Sequence, residues 1–318
     1  MFVNELERIV LEIGIGIIWS NASLISIPVL QSFSPSSSGI YGGILLTILG
    51  SGFSTNLSAI RIKVGVNICV LVQASANQLQ CRVPSQGIQS SLVNISLITN
   101  GISLSTSTQF TYSTSNTPTV SSINPTWGGT GQVVIITGNN FIDNQTNVFI
   151  GQCECLITNL SSTSISCRLE SGPAGVQAVL VQVASFGDSN QNIQFTYNLQ
   201  VSSVVPSRGS YGGGQWIIVH GDGFNVSNIN VTVCERPCST ISLISNTALR
   251  CLTPAAPYLL TDTTCSLKVT VDGLTQTVPF VYQTNLTAII TSVTPIRGGT
   301  GGDTTLTVNG TNFLSVSS

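Results

Sequence analysis

Cysteine is the residue type whose spacing in this chain points most directly to chemistry. The chain has nine cysteines. Six of them form three pairs with nearly constant separations of 12, 12 and 13 residues: Cys69 and Cys81, Cys155 and Cys167, and Cys238 and Cys251. Each pair follows the same phrase of an internal repeat, so we predict one disulfide per repeat, closing a hairpin-sized loop. A loop of that length stabilises a small domain by about 3 kcal/mol in the chain-entropy model. Buried free thiols in a cytosolic protein are the alternative.

Three cysteines remain outside these pairs. Cys234 and Cys265 could form a second bridge within the third repeat. Cys153 is then left without a partner. Three interpretations stay open: it is a free thiol, it competes with Cys155 for a disulfide partner, or it bonds to a cysteine of another chain. A metal site is not predicted, because the chain has one histidine and no Cys-x-x-Cys pair.

Asparagine offers a second candidate chemistry, N-linked glycosylation. Nine Asn-x-Ser/Thr sequons occur, at Asn21, Asn56, Asn94, Asn144, Asn159, Asn225, Asn230, Asn285 and Asn309. Each sequon alone is a weak signal, because chains rich in Asn, Ser and Thr produce many by chance. Together with the cysteine pairs, the sequons predict a secreted, glycosylated surface.

No residue pattern predicts an enzyme site. His220 precedes Gly221 at a position that varies between repeats, and we expect it to be a solvated strand residue. No Asp/Glu pair recurs near a Ser or Cys nucleophile. The glycine clusters at 212–214 and 298–302 are followed by neither Gly-Lys-Ser/Thr nor a helical pattern, so we interpret them as turns rather than phosphate loops. We therefore expect no catalytic residue, no cofactor and no bound metal.

The elements that position these residues belong to a long repeat. A proline, a double glycine and then the phrase Gly-x-x-Phe occur four times, ending at Phe53, Phe141, Phe224 and Phe313. These phenylalanines are 88, 83 and 89 residues apart. A period of that length indicates a tandem array of small domains rather than a solenoid of short repeats. Repeated modules usually present surfaces, whereas catalysis needs a single site.

Apolar residues alternate before each Gly-x-x-Phe phrase. The positions two and four residues before the glycine are all apolar: Leu46, Ile48, Val134, Ile136, Ile217, Val219, Leu306 and Val308. This alternation predicts a strand with one buried face. The double glycines permit a turn that a side chain would obstruct. We expect each phenylalanine to close one end of a core, Trp216 to lie in the core and Trp127 to be exposed.

Each complete repeat also ends alike, in Phe-x-Tyr. The three endings are Phe110-Thr111-Tyr112, Phe195-Thr196-Tyr197 and Phe280-Val281-Tyr282, and they are 85 residues apart in both intervals. Short β-rich runs broken by Gly, Asn and Ser lie between the two ends of a repeat, and this regular spacing is typical of a β-sandwich. No convincing amphipathic helix occurs beyond residue 30. The fold class predicted is therefore all-β.

The composition disfavours a partner recognised through charge. Charged residues make up 7% of the chain and the net charge is −2, against roughly 25% charged residues in average soluble domains. Such a chain offers no electrostatic footprint for nucleic acid or an acidic membrane. The linkers between repeats are short, and we expect a fairly stiff row of domains.

These motifs resemble the IPT/TIG domain, an immunoglobulin-like fold of the E-set type found in plexins, Met-type receptors and some transcription factors. The resemblance covers residues 29–318 and rests on the Pro…Gly-Gly…Gly-x-x-Phe phrases, the Phe-x-Tyr ends and the cysteine pairs. Two of those pairs end in Cys-x-x-Pro, at residues 81–84 and 251–254, whereas Cys167-Arg168-Leu169-Glu170 lacks the proline. The uncharged array is most similar to fibrocystin-like and other multi-IPT cell-surface proteins. The resemblance implies tandem immunoglobulin-like β-sandwiches, extracellular binding or adhesion, and no catalysis.

The repeats divide the chain into five segments. We expect IPT/TIG domains at 29–115, 118–199 and 200–284, and the start of a fourth at 287–318, which should be poorly ordered. Residues 1–28 belong to no repeat. They resemble a signal peptide, or else an incomplete gene start or the tail of a preceding module, and a membrane span is the remaining alternative. We expect the sequence to be a piece of a longer protein, with membrane anchorage, if any, outside this segment.

The function expected is a non-catalytic binding or adhesion array at the cell surface or in a secreted protein, acting as a receptor-like ectodomain or a spacer. Its partner would be a protein or a glycan that the sequence does not identify. An accessory module of a secreted carbohydrate-active protein is the alternative, which an exposed aromatic such as Trp127 would support. A DNA-binding domain of a transcription factor is less favoured, because ten basic residues spread over 318 supply no basic patch.

Overall fold

The computed structural model describes residues 27–87, 89–224, 228–257 and 261–313. Whether the segment 1–28 is signal-like is thus a question that falls almost entirely outside the described residues. The sequons at Asn21 and Asn225 lie outside them too. Within the described ranges, no helix is long and apolar enough to cross a membrane.

The first domain is a sandwich of two sheets that share a strand. Its strands are β1 (Val29–Ser34), β2 (Ser37–Gly39), β3 (Leu45–Ser51), β4 (Ile60–Val64), β5 (Asn67–Ala74), β6 (Gln78–Arg82), β7 (Ser91–Thr99) and β8 (Ile102–Ser113). They are hydrogen-bonded in the order β1-β3-β6-β5-β4-β7-β8-β2. The start of β5 pairs with β4 and its later residues pair with β6, so β5 passes from one sheet to the other.

The second domain repeats this plan. Its strands are β9 (Thr119–Asn124), β10 (Trp127–Gly128), β11 (Val133–Asn139), β12 (Thr146–Ile150), β13 (Cys153–Leu160), β14 (Ser164–Leu169), β15 (Gly175–Val183), β16 (Gly187–Asp188) and β17 (Gln194–Tyr197). The order is β10-β17-β15-β12-β13-β14-β11-β9, and the short β16 pairs with β15. Here β13 makes the passage between the two sheets, as β5 does in the first domain.

In the third domain the two sheets are separate. Its strands are β18 (Gln200–Val205), β19 (Arg208–Ser210), β20 (Trp216–Asp222), β21 (Ile229–Val233), β22 (Arg236–Pro237), β23 (Thr240–Ser245), β24 (Ala248–Leu252), β25 (Thr263–Val271) and β26 (Leu274–Gln283). One sheet has the order β18-β20-β24-β23 and the other has the order β19-β26-β25-β21-β22. The helical elements of the described residues are two 3-10 turns, Leu57–Ala59 and Thr284–Leu286.

Each of the three domains has its own hydrophobic core. The alternating apolar residues of β3, β11 and β20 are fully buried, and the phenylalanines of the three Gly-x-x-Phe phrases are buried, which confirms both predictions. The glycine of each phrase is required by packing. A β-carbon on Gly50, Gly138 or Gly221 would overlap a carbonyl oxygen of the adjacent strand and the phenylalanine ring three residues later.

The tyrosine of each Phe-x-Tyr ending connects the last strand to the loop after the cysteine strand. Tyr112 and Tyr282 donate hydrogen bonds from their hydroxyls to the carbonyl oxygens of Pro84 (2.8 Å) and Pro254 (2.6 Å). Tyr197 donates to the oxygen of the residue that replaces the proline in the second domain (3.1 Å). Burial raises the pKa of all three phenols, that of Tyr282 to about 12. The Cys-x-x-Pro and Phe-x-Tyr motifs therefore meet in space.

The fourth repeat is described as a hairpin of β27 (Ile289–Thr294) and β28 (Thr307–Thr311). Its register and bulge match those of the corresponding pair β1 and β3. Leu306 and Val308 are exposed, so the prediction that they are buried is wrong here, because two strands alone cannot cover their own apolar face. The expectation that residues 287–318 are poorly ordered stays a prediction, and residues 314–318 lie outside the described ranges.

The prediction that Trp216 lies in the core is also wrong. The side chain is 44% exposed. Because Ile217 and Val219 of the same strand point into the core, the alternation of β20 directs Trp216 and His220 outward. His220 is exposed, as predicted.

Candidate binding faces, disulfides and glycan acceptors

Four cysteine pairs are bonded in the structure. The Cα atoms are 5.5 Å apart in Cys69–Cys81, 5.5 Å in Cys155–Cys167, 5.8 Å in Cys238–Cys251 and 5.2 Å in Cys234–Cys265. In the first domain, Cys69 pairs with β4 of one sheet and Cys81 pairs with β3 of the other. This bond therefore joins the two sheets near the strand that passes between them, rather than only closing a hairpin.

Cys153 is a free, half-buried thiol at the first residue of β13. Burial raises the pKa of this thiol, and the negative charge of Asp222 raises it further. A raised pKa lowers the thiolate fraction at neutral pH and with it the reactivity of the group. Because Cys155 is bonded to Cys167, the structure does not show Cys153 competing for that partner. A free thiol and a bond to another chain stay as interpretations.

The described sequon asparagines are all exposed. They are Asn56, Asn94, Asn144, Asn159, Asn230, Asn285 and Asn309. Asn56 and Asn144 occupy the same place in their domains, three residues after the buried phenylalanine. Asn94 on β7 and Asn230 on β21 point outward from the sheets built around the Phe-x-Tyr strands. Solvent exposure of the acceptor side chain is what glycosylation requires.

The opposite sheets carry one sequon, Asn159 on β13. The solvent side of these sheets (β1-β3-β6-β5, β9-β11-β14-β13 and β18-β20-β24-β23) is called the outer face below. Large apolar side chains are exposed on it: Leu45, Leu49, Val70, Val72, Val133, Ile135, Leu156, Ile157, Trp216, Ile218 and Ile244. Exposed apolar side chains that are grouped on one face are typical of interaction sites.

An arginine lies among the apolar residues in each outer face. Arg82 pairs across the sheet with Leu45 on one side and Val70 on the other. Arg168 has the same position in the second domain, between one apolar residue of β11 and one of β13.

In the third domain Leu252 occupies the position of Arg82, and the arginine of the outer face is Arg250, two residues earlier on the same strand β24. Arg250 pairs with Ile218, and its guanidinium carbon is 4.8 Å from the centroid of the Trp216 ring. This cation–π contact covers part of the exposed indole. Trp127, on the edge strand β10, is 62% exposed, as predicted.

A threonine in the linker organises the joint between the first and second domains. Thr117 accepts a hydrogen bond at its hydroxyl from the backbone N–H of Ile40 (2.9 Å) and donates one to the carbonyl oxygen of Ser113 (2.7 Å). The amide of Asn140 donates to the carbonyl oxygen of Thr117 (2.8 Å). The linker is thus held by both domains.

The joint between the third domain and the β27–β28 hairpin uses the same arrangement. Thr287 accepts from the backbone N–H of Tyr211 (2.9 Å) and donates to the carbonyl oxygen of Gln283 (2.9 Å). The amide of Asn312 donates to the carbonyl oxygen of Thr287 (2.9 Å). The sequence analysis did not single out these two linker threonines, because a threonine in a polar linker gives no signal by itself.

The short strand β16 of the second domain also lies on the first domain. The N–H of Asp188 donates to the carbonyl oxygen of Gly42 (2.8 Å), and the N–H of Gly39 donates to the carbonyl oxygen of Phe186 (2.6 Å). Burial raises the pKa of the Asp188 carboxyl, while a hydrogen bond from Gln182 and the charge of a nearby arginine partly oppose this shift.

Three immunoglobulin-like sandwiches in tandem, with disulfides and exposed sequons, define a multidomain array of the type used in extracellular regions. The sequence model of the IPT/TIG domain matches residues 28–112, 118–197 and 199–283. The chain belongs to the IPT/TIG domain family.

Its curated relatives are long multidomain proteins. The chain is 33% identical over 295 residues to Fibrocystin-L of Homo sapiens, and the match covers 91% of the chain and 7% of that protein. It is 29% identical over 227 residues to Fibrocystin of Canis lupus familiaris, covering 71% of the chain and 5% of that protein. Plexin-2 of Caenorhabditis elegans is 26% identical over 247 residues, covering 71% of the chain and 14% of that protein. Among solved structures, the full extracellular region of Plexin A4 is 19% identical, with a TM-score of 0.35. The match covers 88% of the present chain and 27% of the Plexin A4 chain.

Proposed function

We propose that this chain is part of a non-catalytic binding or adhesion array that works outside the cell, in a receptor-like ectodomain or as a spacer. The family and the fibrocystin and plexin relatives support an extracellular array. The four cysteine pairs suit an oxidising compartment. The exposed sequons suit glycosylation during secretion.

The observation that carries the proposal is the outer face. Its exposed apolar residues lie beside an arginine in each domain, and nearly all of the sequons lie elsewhere. Glycans attached to those sequons would shield the other surfaces and leave this face accessible. The buried centre of a protein interface is more apolar than its rim, and arginine and tryptophan, both present on this face, are enriched among the residues that carry most of the binding energy.

Secretion from mammalian cells tests the compartment. The secreted chain should lose mass on treatment with an N-glycosidase, and a non-reducing peptide map should contain the four cystine peptides. A chain that leaves the cell fully reduced and without glycans would contradict the proposal.

A pair of matched variants tests the face. The first carries Leu45→Ser, Val133→Ser and Ile218→Ser on the outer face. The control carries Leu92→Ser, Ile98→Ser and Val176→Ser, which replace exposed residues of the sheets built around the Phe-x-Tyr strands. Beads coated with each protein are offered to a panel of cell lines and counted by flow cytometry. Binding that the first variant loses and the control keeps supports the outer face, and equal loss or equal retention contradicts it.

An accessory module of a secreted carbohydrate-active protein is the second candidate. The exposed ring of Trp127 is the observation that favours it, because sugar rings stack on exposed aromatic side chains. A glycan array probed with the unaltered chain and with Trp127→Ala decides the matter. Signals that depend on the tryptophan support this candidate, and signals that are absent or unchanged dismiss it.

A further inference from the structure

The joint between the second and third domains differs from the other two joints. Strand β17 ends at Tyr197 and β18 begins at Gln200, so the linker has no room for the threonine arrangement. The side chain that fills the joint is Asp222, the first variable residue of the third Gly-x-x-Phe phrase. It is 8% exposed, whereas Asn139, at the same position of the second domain, is exposed.

Among the described residues, the carboxylate of Asp222 accepts four hydrogen bonds, and three of them come from the second domain. Thr130 donates to Oδ2 from its backbone N–H (3.0 Å) and from its hydroxyl (2.5 Å). Ser171 donates its hydroxyl to Oδ1 (2.9 Å). The N–H of Gly223 completes the set at Oδ1 (3.0 Å). A buried carboxylate is tolerated when its oxygens are satisfied in this way, and charge-assisted hydrogen bonds are the strong ones.

Neighbouring backbone contacts close the joint around this carboxylate. Ala174 donates its N–H to the carbonyl oxygen of Gly223 (2.9 Å), and its methyl group lies in the hydrophobic core of the third domain. Asn198, in the linker, donates its N–H to the carbonyl oxygen of Gly128 (2.7 Å). A β-carbon on Gly223 would lie 2.7 Å from the carbonyl oxygen of Asn198 and 2.8 Å from the methyl carbon of Ala174.

We propose that Asp222 is an interdomain positioning residue: its charged carboxylate, held by Thr130 and Ser171, fixes the third domain against the second, so that the two domains move as one body. The outer faces of these domains then keep a constant orientation to each other. This inference does not depend on the array having a binding partner.

The proposal is tested by comparing hydrogen exchange of the full chain with that of its Asp222→Asn variant. The amide keeps the shape of the carboxylate but turns one acceptor oxygen into a donor that faces a backbone N–H. Segments 126–132, 171–176 and 196–200 should exchange faster, by roughly tenfold or more at Thr130 and Ala174, because the N–H groups of these two residues donate across the joint to the Asp222 carboxylate and to the carbonyl oxygen of Gly223. Strands β11, β14, β20 and β24 should exchange as before. Asp143→Asn, which removes the same charge at an exposed site of the second domain, is the control and should change none of these segments.

A second variant approaches the joint from the other domain. Thr130→Val keeps the carboxylate and removes one donor, so the same three segments should respond more weakly. Small-angle scattering of Asp222→Asn should require a range of angles between the domains, whereas one arrangement should fit the unaltered chain. Unchanged exchange in the joint segments of both variants, or faster exchange in β20 and β24 along with them, would overturn the proposal, the second result because it would make Asp222 a folding residue of the third domain.

Discussion

Gly43 of the first domain lies directly beneath the carboxyl group of Asp188 of the second domain. A β-carbon on this glycine would overlap that carboxyl group. Gly43 also has φ of 86°, a left-handed conformation in which side chains are strained. The double glycine therefore has two roles: it forms a turn, as the sequence predicts, and it makes room for the next domain.

Replacing Gly43 with alanine should weaken the joint between the first two domains. We expect a loss of about 1–2 kcal/mol from the left-handed backbone alone and a further loss from the displaced Asp188. Gly101→Ala is the matched control, because Gly101 has φ of 78° and a β-carbon there would meet nothing within 4 Å. Thermal unfolding and hydrogen exchange at residues 186–188 measure the difference. Equal effects of the two substitutions would mean that Asp188 moves away without cost.

Asp188 should make the stability of the second domain depend on pH. Burial raises the pKa of this carboxyl in the folded protein, so the folded state binds the proton more tightly than the unfolded state does. Folding is therefore favoured as the pH falls through the folded pKa toward the unfolded value of about 3.9, and the contribution is lost as the pH rises.

Asp188→Asn removes this dependence and isolates it from the other groups. The variant should be more stable than the unaltered protein at neutral pH, and its advantage should shrink as the pH is lowered. Urea denaturation at several pH values gives both free energies of unfolding. An advantage that grows on acidification would show that the favourable charge of Arg82 outweighs the cost of burial.

Each tyrosine hydroxyl should stabilise its domain, and the shorter hydrogen bond should contribute more to the free energy of unfolding. Tyr282→Phe removes a 2.6 Å bond to the carbonyl oxygen of Pro254, and we expect a loss of about 1 kcal/mol, because that partly buried acceptor loses its donor. Tyr197→Phe removes a 3.1 Å bond and should cost less. Chemical denaturation compares the two variants, and a larger loss for Tyr197→Phe would contradict this order.

Thiol counting tests the cysteine assignment. Under denaturing, non-reducing conditions an alkylating reagent should label Cys153 and no other cysteine, because the other eight are bonded in pairs. Removing one pair, as in Cys69→Ala with Cys81→Ala, should lower the free energy of unfolding by about 3 kcal/mol. Peptide mapping identifies the labelled residue. Labelling at two or more sites, or a covalent dimer through Cys153, would change the assignment.

Replacing Trp216 should change the stability of the third domain little. A core tryptophan costs about 3–5 kcal/mol on replacement by alanine. Because this side chain lies on the outer face and contacts Arg250, we expect Trp216→Ala to cost about 1 kcal/mol or less. Thermal unfolding measures the change, and a loss of several kcal/mol would restore the interpretation of Trp216 as a core residue.

Much of the fold was predictable because its signals are local and repeated. The buried alternation of Leu46 and Ile48 returns in the second and third domains, and each Gly-x-x-Phe phrase closes a core. The family could be recognised from those phrases. The outward position of Trp216 was available from the sequence too, because the alternation that buries Ile217 and Val219 places Trp216 on the other side of β20; the wrong prediction followed the residue type instead of the alternation.

The sequence by itself determined the repeat and the all-β class, since each depends on spacings within one module. Only the tertiary structure decided how the modules are joined. Thr130 and Asp222 are separated by 92 residues and belong to different domains. No period in the chain relates them, because their contact arises from the packing of two finished sandwiches rather than from the pattern that folds either one.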